Sequence, residues 1–206
     1  MNNRRNLVIK RWFDVAMSLW GLVVFAPLFL VVSLLIKSTS KGSVFYIAPR
    51  VGQYGKLFNL YKFRTMFVCA DKEAEGSITV DGDRRITPIG KILRKTKIDE
   101  LPSLLNVLKG EMSFVGPRPD VKGYADALTG SDRRILDLKP GITGPATLKY
   151  ANEEDLLARV DDPVRYNNEV IFPDKVRINL SYLDSINLFT DLKMILRTLF
   201  RTNYAI

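Results

Sequence analysis

The chain has no histidine and a single cysteine, Cys69. The first absence removes the usual general base, the serine–histidine and cysteine–histidine nucleophile systems, and the commonest transition-metal ligand. The second removes thiolate zinc clusters and any disulfide within the chain, so nothing argues for an oxidising compartment. Internal repeats and low-complexity linkers are also missing, and no P-loop pattern supports a nucleotide hydrolase. Chemistry here must rest on carboxylates, lysine, arginine, hydroxyl side chains or a hard metal ion. What is present is a chain of 206 residues, 47% hydrophobic, long enough to bury a real core. Its formal net charge of +9 fits three kinds of partner: nucleic acid, an anionic membrane surface, or phosphorylated ligands.

The N-terminus favours the second and third. Arg4, Arg5, Lys10 and Arg11 precede an uncharged run from Val15 to Ile36, and Lys37, Lys41, Arg50 and Lys56 follow it. Spanning a bilayer takes roughly 20 apolar residues, so the length suffices. Basic residues flank the run on both sides, however, and the positive-inside rule draws both flanks to the cytoplasm. Pro27 sits mid-run, where it removes a backbone donor and bends a helix. A helix that enters one leaflet, bends near Ala26-Pro27 and returns keeps both flanks on one face. A kinked single span is the alternative. Lys10 or Arg11 is expected to pair with Asp14 at helical spacing.

From Val44 the pattern changes to two β-prone runs around "GQYG", which predicts a β-hairpin. Its second arm carries Lys62 and Arg64, which would project from one face of a strand, either to bind a ligand or as charge guarding an edge. "DGD" at Asp81 to Asp83 has the form of a metal-binding Asp-any-Asp signature, but reads as a turn. Further on, a short helix carrying Arg94 is followed by "KIDELPSL" and a second helix ending before Gly110. Asp99 suits the N-cap of that helix and Glu100 its first turn, with Pro102 allowed that early. The same place suits chemistry: unpaired N–H groups would keep Asp99 ionised as a nucleophile, and Glu100 could hold Mg²⁺. Spacing alone leaves both readings open. In "GPRP", Pro119 restricts Arg118 to extended backbone, which pre-positions a guanidinium for phosphate.

These elements together resemble the bacterial sugar transferase family, the small monotopic polyprenyl-phosphate phosphoglycosyl transferases. The resemblance rests on the Pro-broken apolar segment, "YKFRTM", "DRRITPIGKILRKTKIDELPSLLNVLKGEMSFVGPRP", "KPGITG" and "DLKMILRT", in family order over most of the chain. It implies transfer of a sugar 1-phosphate from a UDP-sugar to undecaprenyl (polyprenyl) phosphate, with release of UMP. It also implies a covalent phosphosugar on Asp99, Mg²⁺ on Glu100, and phosphate contacts from Lys62, Arg64, Arg94 and Arg118. By the same resemblance the protein would work at the cytoplasmic face of a bacterial inner membrane, among anionic lipids, with room for a homodimer and no role for nucleic acid.

The expected fold is α+β and mainly helical. Residues 1–40 would form the re-entrant membrane helix, and residues 41–206 a cytoplasmic catalytic domain on the membrane surface, with a small β-hairpin and interfacial amphipathic helices. In the last helix Leu192, Ile195, Leu196, Leu199 and Phe200 oppose Lys193, Arg197 and Arg201, a pattern that suits a membrane surface or packing against the domain. Two other functions remain open. A non-catalytic, membrane-anchored basic module would bind anionic lipid or nucleic acid. A metal-dependent glycosyltransferase would use Asp81 and Asp83 and release UDP.

Overall fold

The computed structural model describes residues 2–67 and 85–200, and within them the chain is mainly helical. Helices α1 (Asn2–Val24) and α2 (Ala26–Thr39) meet at Phe25 with a bend of 59°. The cause is Pro27 in the first turn of α2, where its missing N–H costs nothing but where α1 cannot continue through it. Neither helix alone is long and apolar enough to cross a membrane; the bent pair together meets that length and composition. The pair leaves Trp12, Trp20, Val23, Leu30 and Leu34 exposed. The other side of α2 is buried: Val32 and Ile36 pack with Phe63, Leu93 and Ile98.

The hairpin forms as the sequence predicts. Strands β1 (Phe45–Val51) and β2 (Leu57–Phe63) pair antiparallel, from Phe45 opposite Phe63 to Val51 opposite Leu57. The outer edge of β2 is closed by a side chain instead of a third strand. Asn106, fully buried in α4 (Leu104–Lys109), accepts from the Tyr61 N–H at 3.0 Å and donates to the Asn59 carbonyl at 2.7 Å. Helix α3 (Pro88–Thr96) starts at Thr87, whose hydroxyl accepts from the Gly90 N–H at 2.9 Å. It docks so closely that a β-carbon at Gly90 would lie 2.1 Å from the Thr65 carbonyl oxygen. The 3-10 turn Ile98–Ser103 then leads into α4, which ends at Gly110.

Two short parallel strands, β3 (Ser113–Val115) and β4 (Gly141–Thr143), carry the second half of the structure. The small helices α5 (Pro145–Lys149), α6 (Glu153–Leu157) and α7 (Pro163–Tyr166) lead to α8 (Phe172–Asp184) and α9 (Leu188–Leu199). Val115, Leu138, Leu148, Tyr182 and Met194 form the core between them.

Helix α1 joins this half through polar groups. Lys10, Asp14 and Ser18, at i, i+4 and i+8, are all buried. Lys10 does not pair with Asp14 by the expected hydrogen bond but forms an ion pair with Asp191 of α9, which also accepts from the Tyr182 hydroxyl at 2.6 Å. Asp14 instead accepts from the Phe114 N–H at 3.2 Å, and Arg11 donates to the Val107 and Leu108 carbonyls at the end of α4. Tertiary partners have displaced the local pair that the spacing suggested. The face of α9 is divided in the same way: Asp191 and Met194 are buried and Ile195 is half-buried. Phe189, Leu192, Leu196, Leu199 and Phe200 are exposed, and Arg201 lies outside the described residues.

Two stability outcomes follow. Asp191→Ala leaves the Lys10 ammonium buried without its partner and should cost about 3–5 kcal/mol, whereas Lys10→Met combined with Asp191→Leu should recover most of the loss. Chemical denaturation in detergent micelles reads both. Arg64 donates to the Lys41 carbonyl at 2.5 Å and to the Ser40 carbonyl and hydroxyl at 2.9 Å, tying off the C-terminal end of α2. Arg64→Leu should therefore cost about 1.5–3 kcal/mol in the same measurement.

Candidate active site

Glu100 is placed by the 3-10 turn, whose first residue, Ile98, is anchored in the core beneath α2. Its side chain is only 16% exposed, and its Oε1 receives both Lys62 Nζ of β2 at 2.9 Å and an Arg118 guanidinium nitrogen at 3.1 Å. Burial by itself would raise the pKa of this carboxyl. The Arg118 and Lys62 charges outweigh burial and hold it at about 2, so Glu100 is an anion at neutral pH. Both cations engage Oε1; among the described residues no hydrogen bond or ion pair engages Oε2.

Asp99 is in a different situation. It is 8% exposed, and its Oδ1 is buried with no hydrogen-bond partner. Burial and the neighbouring Glu100 charge push its pKa up, against the opposing charges of Lys62, Lys97 and Arg94. This corrects the capping expectation. The N-cap of the turn is Lys97, and the Asp99 side chain caps nothing. A helix mouth does not hold this carboxylate ionised; nearby cations alone oppose its protonation. Buried polar atoms without partners are uncommon in folded proteins, and one on a carboxylate beside an ionised glutamate marks a place for a ligand.

The arginine of "GPRP" is positioned by the second sheet. The Gly116 N–H donates to the Thr143 carbonyl at 2.9 Å, and the Gly141 N–H donates to the Pro117 carbonyl at 2.7 Å. The two segments approach so closely that a β-carbon at Gly116 would lie 2.2 Å from the Lys139 carbonyl oxygen. On the other side the Asp120 carbonyl accepts from the Val51 N–H at 2.9 Å, tying the loop to the hairpin. Arg118 is half exposed, so its guanidinium binds Glu100 and still faces solvent. Beyond it, burial pushes the Asp120 carboxyl up to about 6 despite the Lys175 and Arg118 charges, and Lys175 binds Glu153 at 2.7 Å.

The structure brings Asp99, Glu100, Lys62 and Arg118 together, with Arg94 near enough for its charge to act on Asp99. Arg94 donates through Nε to the Thr65 hydroxyl at 3.0 Å. Arg64 is not part of this group. It lies just past the end of β2 and turns its side chain to α2, so the expectation that Lys62 and Arg64 share one ligand-facing side is corrected. Asp81 and Asp83 lie outside the described residues. Sequence reasoning missed Lys97, Asp120 and Asn106. The first two were visible as charges inside otherwise readable motifs, whereas nothing in the pattern distinguishes Asn106 from an ordinary helix residue.

Comparison with known proteins gives the chain a family. A family model described as bacterial sugar transferase matches residues 5–203. A UDP-N-acetylgalactosamine-undecaprenyl-phosphate N-acetylgalactosaminephosphotransferase from Aeromonas hydrophila is 34% identical over 93% of this chain and 43% of its own length. A UDP-glucose:undecaprenyl-phosphate glucose-1-phosphate transferase from Klebsiella pneumoniae is 35% identical over 97% of this chain and 41% of its own. The exopolysaccharide production protein ExoY of Rhizobium meliloti (strain 1021) is 33% identical over 92% of this chain and 83% of its own. This chain thus spans less than half of the first two relatives and most of the third. With the match running from the N-terminal arm through the acidic pair to the last helix, the chain belongs to the bacterial sugar transferase family.

Proposed function

We propose that this protein transfers a sugar 1-phosphate from a UDP-sugar to undecaprenyl phosphate and releases UMP, through a covalent phosphosugar on Asp99. One observation carries the reading: a buried, partnerless carboxylate oxygen on Asp99 lies beside an ionised Glu100 that is held by two cations. A non-catalytic basic module gives no reason to bury such a group. The names of the Aeromonas and Klebsiella relatives point to the same acceptor and to UDP-sugar donors.

In the first step an Asp99 carboxylate oxygen attacks the phosphorus joined to the sugar. The bond from that phosphorus to the bridging oxygen breaks, its electron pair leaves with UMP, and an acyl phosphate remains. Arg118 and Lys62 offset the charge on the phosphoryl oxygens, and Arg94 and Lys97 favour the anionic form of Asp99. In the second step an oxygen of the lipid phosphate attacks the same phosphorus and Asp99 is released as a carboxylate.

The residues fit a magnesium ion. Among the described residues no cluster of three or more His, Cys, Asp or Glu could enclose a metal. Mg²⁺, however, commonly takes one or two carboxylates and completes its shell with water and substrate phosphate. Glu100, ionised and with Oε2 free, would hold it, and the ion would supply charge neutralisation at the phosphates.

The bent α1–α2 pair fits a re-entrant insertion into the cytoplasmic leaflet, with Trp12 and Trp20 near the interface. The exposed Phe189, Leu196, Leu199 and Phe200 of α9, with Lys193 beside them, would rest on the same anionic surface.

The decisive measurement is intact mass after incubation with UDP-glucose or UDP-N-acetylgalactosamine and Mg²⁺ but no acceptor. It should show a phosphosugar adduct that maps to Asp99, with stoichiometric UMP. Asp99→Asn should give neither, and Glu100→Gln should slow UMP release by roughly 10²–10³-fold. Release of UDP in place of UMP, or full activity in Asp99→Asn, overturns the proposal.

A further inference from the structure

Lys97 has a backbone conformation that its own side chain opposes. With φ 59° and ψ 15° it ends α3 in the left-handed region, where the β-carbon is unfavourable and glycine or asparagine is the usual choice. The conformation is required by the chain path: the Lys97 N–H closes α3 on the Arg94 carbonyl at 3.2 Å, and the Lys97 carbonyl accepts from the Glu100 N–H at 3.2 Å, opening the turn that carries the acidic pair. A glycine would serve this path better. The lysine must be explained by its side chain.

That side chain is exposed and, among the described residues, makes no ion pair or hydrogen bond. The other cations around the acidic pair are engaged: Lys62 and Arg118 on Glu100, and Arg94 on Thr65. The Lys97 charge nevertheless acts on both Asp99 and Glu100. Its position in the fold gives it a direction. Arg118 reaches the pair from the end of β3. Lys97 stands at the end of α3, which packs through Ile89 and Leu93 on Val32 and Ile36 of the apolar arm.

We infer that Lys97 binds the phosphate of the incoming polyprenyl phosphate in the second half of the reaction, an assignment that rests on the function proposed above. In that half, a non-bridging oxygen of the lipid phosphate attacks the phosphorus carried by Asp99. The bond between that phosphorus and the Asp99 carboxylate oxygen breaks, and its electron pair returns to the carboxylate. The products are a diphosphate-linked lipid sugar and free Asp99, with no proton or co-reactant consumed. Two anionic phosphates must meet in this step, and an exposed ammonium at the end of the helix packed on the apolar arm lowers their repulsion.

The test separates the two halves in Lys97→Gly, Lys97→Arg and wild type. UDP-glucose or UDP-N-acetylgalactosamine is supplied first, and adduct and UMP are followed. Undecaprenyl phosphate is then added and loss of the adduct is timed. Lys97→Gly removes one of the charges that favour the Asp99 anion and should slow adduct formation only slightly, whereas loss of the adduct should slow about 10- to 100-fold, with a raised KM for the lipid phosphate. Its melting temperature should rise, because glycine relieves the left-handed backbone, so the slower step cannot be ascribed to a damaged fold. Lys97→Arg should restore most of the discharge rate. Unchanged discharge in Lys97→Gly overturns the inference, as does equal slowing of both halves, which would put Lys97 on the donor phosphates. Absence of adduct in the wild type refutes the reaction itself, and the role of Lys97 with it.

Discussion

The arrangement of this protein depends on one buried anion. Glu100 receives Lys62 from 38 residues before it and Arg118 from 18 residues after it, both on a single oxygen. Removing either partner would leave a buried charge short of compensation, a costly state, so hairpin, 3-10 turn and "GPRP" loop are fixed relative to one another by the same atom. The environment that stabilises the charge on Glu100 destabilises it on Asp99. Burial acts on both, but the close cations bind the glutamate and leave the aspartate with a raised pKa. Two adjacent carboxyl groups driven in opposite directions are suited to different tasks, one to hold charge and the other to react.

Each of the three parts is rigid for its own reason. The hairpin would offer an unpaired edge at β2, but Asn106 satisfies the backbone there from α4. The "GPRP" loop is clamped between β4 and the start of the hairpin turn, at a separation that only glycine at 116 permits. The turn itself is nailed down by Ile98 in the core under α2. These supports act through backbone bonds and packing. They limit how far Lys62, Glu100 and Arg118 can drift, and a site that works by charge placement tolerates little drift.

What could be read from the sequence was whatever depends on local chemistry. Pro27 predicted the break in the apolar run, "GQYG" the hairpin turn, and Gly110 the end of α4, because proline and glycine act on their own backbone. The acidic pair, Lys62 and Arg118 were visible for the same reason: charged residues next to turns and prolines stand out. Partner choice was not visible. Lys10 or Arg11 was expected to pair one turn away with Asp14, but Lys10 reaches Asp191, which is 181 residues distant, Arg11 binds carbonyls of α4, and Arg64 leaves the ligand side to tie off α2. Side chains long enough to cross between elements choose among partners that only the tertiary fold brings near. The capping reading of Asp99 failed because the turn opens at a left-handed Lys97, two residues earlier, which leaves Asp99 inside the 3-10 turn instead of at a non-helical N-cap.

That entry also shapes the approach to Asp99. A chain leaving α3 through a left-handed residue reverses sharply, so the acidic pair follows immediately on a helix end instead of projecting from the middle of one. The helix it leaves is packed on the apolar arm, and the strand bearing Lys62 ends beside Arg64, which holds the exit of that arm. The Asp99 carboxylate is thereby tied on two sides to the segment that would sit in the leaflet. For the proposed transfer from a water-soluble nucleotide sugar to a phosphate with a long apolar tail, this matters more than the overall shape. In that transfer the lipid phosphate would travel only along the membrane surface, so the site would have to be held at a fixed height above it. A catalytic domain on a flexible tether would sample that height only part of the time. Here Ile36, Phe63, Leu93 and the bonds from Arg64 make arm and site one packed unit, and in the proposed insertion the 59° bend would set how that unit meets the bilayer.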